Sequence, residues 1–80
     1  MKTYLFTFHT NFDALQFYRF AKQNGEAKQK PVPRSLSSSC GTCVIFRPKV
    51  EIEFGDLEKK PFECAYEANG DEYIIISEKE

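Results

Sequence analysis

The chain has 80 residues, of which 41% are hydrophobic and 29% charged, enough apolar surface to fold one small core and too little chain for a second. Its 11 basic and 12 acidic residues nearly cancel and are scattered, so no field able to gather a polyanion arises and nucleic acid is not an expected partner. The longest apolar runs, such as Tyr73 to Ile76, are far too short to span a bilayer, and the first residues show no basic stretch leading into a signal-type apolar segment. The expectation is a single domain over residues 1–80, soluble and cytoplasmic, with no membrane partner.

From Lys2 to Phe8 side chains alternate, with Tyr4, Phe6 and Phe8 on one face and Thr3, Leu5 and Thr7 on the other, which predicts a first strand. Thr10 or Asn11 can cap a helix over about Asn11 to Asn24, because Ala14, Phe17, Tyr18 and Ala21 recur at three- and four-residue spacing. Asn24-Gly25 is expected to stop it, glycine supplying the left-handed conformation that closes a helix. Ala27 to Val32 predicts a second strand, after which Pro31 and Pro33 stiffen the backbone. Ser35 to Ser39 then favour local hydrogen bonds over a ladder, so a structured loop follows.

Cys43 to Phe46 predicts a third strand, ended by Pro48. Val50, Ile52 and Phe54 alternate as a strand would, while Asp56 to Lys60 before Pro61 suggests a short helix, so both readings stay open for residues 49–61. Phe62 to Glu67 and Tyr73 to Ser77 flank Asn69-Gly70, a pair suited to a hairpin turn. The order implies an α+β fold: a ferredoxin-like antiparallel sheet covered by one long helix, with a second helix short or missing and a C-terminal hairpin. Tyr4, Phe6, Phe17, Tyr18, Val44 and Phe46 are the expected core. The Tyr73 to Ile76 stretch offers an edge strand through which two copies could pair as a homodimer.

Three cysteines, Cys40, Cys43 and Cys64, are an odd number and too few for the disulfide framework of a small secreted scaffold. Cys64 alternates with Phe62 and Tyr66 and reads as a small buried residue. No metal site is expected, since Cys40, Cys43, Cys64 and His9 come from distant segments without a second C-x-x-C. His9 reads as a surface or capping residue at the strand-to-helix junction. The aromatic stripe of β-type spacing at Tyr4, Phe6 and Phe8 lacks the basic face and the glycine-aromatic motif of RNA-binding sheets. Glu51 and Glu53, and the tail Glu78-Lys79-Glu80, have no convergent partner that would mark acid–base work.

The segment least explained by packing is Pro31-Val32-Pro33-Arg34-Ser35-Leu36-Ser37-Ser38-Ser39-Cys40-Gly41, a polar loop carrying a guanidinium and a thiol. Arg34 is a candidate to hold the Cys40 thiolate or bind an anion, with Ser38, Ser39 and the backbone amides near Gly41 cradling the same charge. The plainer reading is a well-capped turn with a solvent-facing arginine. Cys40-Gly41-Thr42-Cys43 is also a C-x-x-C, in which Cys43 would resolve a mixed disulfide on Cys40. In thioredoxin-like proteins, however, such a pair opens a helix, and here it precedes the apolar strand Val44-Ile45-Phe46.

The same Pro31 to Gly41 run, with the first strand, Ala14-Leu15 and Gly25 upstream, resembles the selenium/sulfur (Se/S) carrier protein-like family of small bacterial proteins. The chain departs from that pattern at Tyr18, where an acidic residue is expected. The resemblance implies that Cys40, in the Ser-Cys-Gly step, is a carrier thiol. It would take up sulfur or selenium as a persulfide or selenosulfide from a donor protein such as a cysteine desulfurase and pass it to an acceptor protein. On that reading the chain is a carrier rather than an enzyme and uses no cofactor. Its rivals are an interaction module with an idle thiol and a thiol-disulfide oxidoreductase using Cys40 and Cys43.

Overall fold

The computed structural model describes residues 2–36, 38–70 and 72–78, Phe54 by its backbone alone. Ser37 of the serine cluster and Lys79 and Glu80 of the charged tail lie outside the described residues. The elements are β1 (Thr3–Thr7), α1 (Asn11–Asn24), β2 (Gly25–Pro31), β3 (Thr42–Pro48), α2 (Phe54–Glu58), β4 (Cys64–Asn69) and β5 (Glu72–Glu78). The strands form one antiparallel sheet in the order β2-β3-β1-β4-β5, and α1 lies against β2 and β3 on one face. The architecture is α+β, as the residue patterns imply. At 14 residues, however, α1 is a short helix and not the long one expected.

The alternation in β1 sets the core. Phe6 pairs with Val44 of β3 and Ala65 of β4, and its ring centroid lies 4.4 Å from Phe17 and 5.1 Å from Phe62. With Phe8 and Phe46 these rings close a dry cluster under α1, burying large apolar area in contacts that offset aromatic stacking favours. Tyr4 and Tyr18 pack at its margin and keep part of their surface in solvent. Leu5 and Thr7, on the opposite face, are also fully buried. β1 is the central strand, so its outward side chains are covered by neighbours on both sides, which alternation within one strand does not reveal. Burial leaves the Thr7 hydroxyl needing a partner, and it accepts a bond from the Cys64 amide at 3.1 Å.

Thr10 caps α1, its Oγ1 accepting from the Asp13 amide at 3.1 Å. The helix stops at Asn24 as expected, but not by a left-handed glycine. Gly25 is extended (φ 162°, ψ −150°) and enters β2 at once. Its missing Cβ matters for space: a side chain there would run into the Arg47 carbonyl and lie 2.8 Å from the Lys49 amide nitrogen. The closely packed crossing is held by the Lys49 amide donating to the Asn24 carbonyl at 2.9 Å.

Residues 49–53 form no strand, and α2 occupies Phe54–Glu58, with Leu57 buried against the core. β4 and β5 make the C-terminal hairpin. Gly70 takes the positive φ of 66° that the turn needs, and the register slips by one residue between Ala65 and Tyr66. Among the described residues no helix is long and apolar enough to cross a membrane.

Candidate functional site

The ladder of β2 and β3 runs from Gly25↔Pro48 to Pro31↔Thr42 and is extended by the Val32 amide donating to the Gly41 carbonyl at 3.1 Å. The intervening loop is closed at its base like a hairpin. Pro33, with its fixed φ, starts a tight turn in which the Leu36 amide donates to the Pro33 carbonyl at 3.0 Å. Gly41, at φ 75°, lets the chain swing back into β3.

Three tethers fix this loop to distant elements. The Ser38 hydroxyl donates to the Phe8 carbonyl at 3.0 Å, just past the end of β1. Ser39 donates twice to Glu63, from its amide to Oε1 at 3.2 Å and from its hydroxyl to Oε2 at 2.7 Å. The Thr42 hydroxyl donates to Asn11 Oδ1 at 3.2 Å, at the start of α1. Glu63 is itself anchored through its amide, which donates to the Thr7 carbonyl at 2.6 Å, and its Oε2 lies 3.4 Å from His9 Nδ1. Burial pushes the Glu63 carboxyl up, but the Ser39 bonds, with help from His9 and Ser38, outweigh it and hold the group below its ordinary value.

Cys40 lies inside these tethers. It is partly buried, packed against the core cluster beneath α1. Its thiol donates to the Thr42 carbonyl at 3.5 Å and sits 4.0 Å from the Ser38 hydroxyl. Of the three cysteines only Cys40 keeps an appreciable exposed surface, because Cys43 and Cys64 are buried on strands. All three are free thiols. Cys43 shares its row with Thr7 and Lys30, on the face away from α1, and its thiol is 3.8 Å from the Pro31 carbonyl. Burial pushes the Cys43 thiol up, with nearby Lys30 opposing and Cys40 reinforcing the shift, so it is a weak source of thiolate.

The structure therefore brings Ser38, Ser39, Cys40 and Gly41 together as one anchored segment. Arg34 stands exposed on the Pro33–Leu36 turn and makes no hydrogen bond or ion pair among the described residues. Glu63, His9 and Asn11 complete the site, and residue patterns had not marked Glu63: it contacts Ser39 from 24 positions away. In sequence it looks like the outward member of an alternating strand. Among the described residues no group of three or more His, Cys, Asp or Glu side chains is placed to hold a metal ion.

A small antiparallel sheet with one covering helix presents a single partly exposed thiol on a hydroxyl-rich, tethered loop. A family model described as "Putative Se/S carrier protein-like" matches residues 3–60, a span that includes β1, α1 and the whole Cys40 loop. The chain belongs to that family. No curated protein and no solved structure matches it.

Proposed function

We propose that the protein carries sulfur or selenium on Cys40. The observation that supports this most directly is that Cys40 alone of the three thiols is accessible, and it is held in a built loop rather than in a core position. In the transfer step the Cys40 thiolate attacks the outer sulfur of a persulfide on a donor protein of cysteine desulfurase type. The donor's S–S bond breaks, a new S–S bond forms on Cys40, and the donor cysteine departs as a thiolate that takes up the proton Cys40 gave away. Delivery to an acceptor protein reverses the roles. For selenium the product on Cys40 is a selenosulfide.

The parts of the loop have distinct work. Ser38, with its hydroxyl proton given to the Phe8 carbonyl, fixes the backbone beside Cys40, and Ser39 keeps the segment in place through Glu63. Arg34, free of partners among the described residues, is available to a persulfide anion reaching out from Cys40. Leu15, exposed on α1, lines a groove with Pro31, Gly41 and Thr42, which suits transfer by contact between proteins. The protein acts as a carrier and not as an enzyme with turnover, and it works in the cytoplasm. The strand order, with a helix in each of the two crossovers, supports a ferredoxin-like reading to which β5 is added at an edge.

Incubation with a cysteine desulfurase and cysteine should add one sulfur to the peptide containing Cys40, seen by mass spectrometry and absent in Cys40→Ser. Sulfur spread over all three cysteines, or retained after that substitution, would leave an interaction module with an idle thiol as the better account.

A further inference from the structure

α1 and the core cover one face of the sheet, and the pairing registers define what stands on the other. One row across all five strands reads Lys30, Cys43, Thr7, Cys64 and Glu78. The next reads Lys28, Ile45, Leu5, Tyr66 and Ile75. The centre of this face is apolar, with Ile75 half exposed and Ile45 and Tyr66 partly so. Its flanks differ in sign: Lys28 and Lys30 on β2 form no ion pair among the described residues, and Glu78 on β5 carries the opposite charge. Glu26, also on β2, is already neutralised by Arg47 and Lys49 at 3.8 and 3.7 Å.

The strand order is the same distance out from β1 on either side, two strands each way. A two-fold axis laid along β1 therefore places β2 of one copy over β5 of another and β3 over β4, keeping each row on itself. Along the first row Lys30 falls on Glu78 of the second copy, twice per pair. Along the second, Ile45 falls on Tyr66 of the second copy on either side of Leu5, which is itself covered by its neighbours within the sheet. The relief matches as well: the β2–β3 half holds a shallow groove of about 190 Å³ lined by Thr3, Lys28, Ile45 and Arg47. The β4–β5 half carries the partly exposed rings of Tyr66 and Tyr73, which the axis swings over that groove.

We propose that the face of the sheet turned away from α1 docks a second copy of this chain, the two related by a two-fold axis along β1 so that Lys30 of each meets Glu78 of the other. Five strands roughly 4.8 Å apart and about five residues long give a contact of only some 400 Å² in projection per copy. That is well below the roughly 800 Å² per partner of a standard interface, so the dimer is weak and forms at high concentration. Pairing through the β5 edge is less favourable: a symmetric ladder centred on Ile75 sets Glu72 opposite Glu78 at both ends, like charges in direct register. The Cys40 loop takes no part, so this surface stands apart from the carrier reading.

Sedimentation equilibrium from about 10 μM to about 1 mM tests it. Monomer–dimer exchange is expected, weakened about tenfold by Lys30→Glu and equally by Glu78→Lys, since each change replaces two attractions by two repulsions. The double variant restores the original constant to within about threefold. Circular dichroism checks that each variant is folded, and both positions are exposed and outside the core. A monomer at every concentration overturns the proposal. So does a dimer whose constant ignores both charge reversals while β5 amides gain protection from hydrogen exchange on association, which is the signature of edge pairing.

Discussion

The core beneath α1 and the loop carrying Cys40 are built on opposite principles. In the core, five phenylalanines touch one another through many weak contacts, so cohesion is large, non-directional and spread over β1, α1, β3 and the segment before β4. The loop has few apolar contacts and rests on a few directional bonds, one to Phe8, two to Glu63 and one to Asn11. A core of this kind fails as a whole, whereas a tethered loop can change its geometry while the fold survives. That separation would suit the carrier role proposed for Cys40.

The largest effect should come from the core. Phe6→Ala removes the ring in contact with Phe17 and Phe62 and leaves a cavity that the rigid sheet cannot collapse around. A loss of about 3–5 kcal/mol is expected in denaturant titration, close to the whole stability of a domain this small. A loss below about 1 kcal/mol would show that the two faces of β1 had been exchanged. Gly25→Ala tests packing of another sort, at the junction of α1 with β2. The new methyl meets backbone at Arg47, Pro48 and Lys49, which cannot rotate aside, so a loss of about 1–3 kcal/mol is expected. An unchanged midpoint would mean that the crossing is looser than described.

Legibility in the sequence follows the same division. β1 and α1 were readable because their periods, two and 3.6, are written in adjacent residues, and the hairpin because Asn69-Gly70 is local turn chemistry. Burial of Leu5 and Thr7 was not, since it depends on β1 being central, a property of strand order. The role of Gly25 was read through the commonest use of glycine after a helix, while the structure uses it for close approach of two backbones. In the site, the loop and Cys40 stood out as an unusual local composition. The tether did not: Ser39 and Glu63 meet only because β4 returns beside β1, and a carboxylate ahead of a strand carries no mark of what it will hold.

Glu63→Gln sharpens the comparison from the loop side. The substitution keeps the shape but removes the charge that accepts both Ser39 bonds and faces His9. These bonds are exposed, so their effect on global stability should be modest, about 1 kcal/mol or less. The effect on Cys40 should be the clearer one: its alkylation rate changes, while buried Cys43 and Cys64 stay protected as in the parent chain. If all three thiols become reactive together, the tether belongs to the fold as a whole and the division between loop and core is wrong.

Acid offers the gentlest way to release the same tether without a mutation. Glu63 holds its proton less tightly in the folded chain than at the ordinary carboxylate value of 4.5, so the folded state is favoured where the group is ionised. Its contribution is complete above that ordinary value and is lost as pH falls through the lower folded-state value. Protonation there weakens the acceptor for Ser39 and turns one oxygen into a donor, loosening residues 38–40 while Phe6, Phe17 and Phe46, which do not titrate, stay packed. Hydrogen exchange measured from pH 5 down to pH 3 and corrected for the intrinsic rate should therefore show the Ser39 amide losing protection before the β1 and β3 amides. In Glu63→Gln that early step should be missing, because the Ser39 amide is already less protected at pH 5. Simultaneous loss across loop and sheet would instead place the acid response in the global unfolding of the chain.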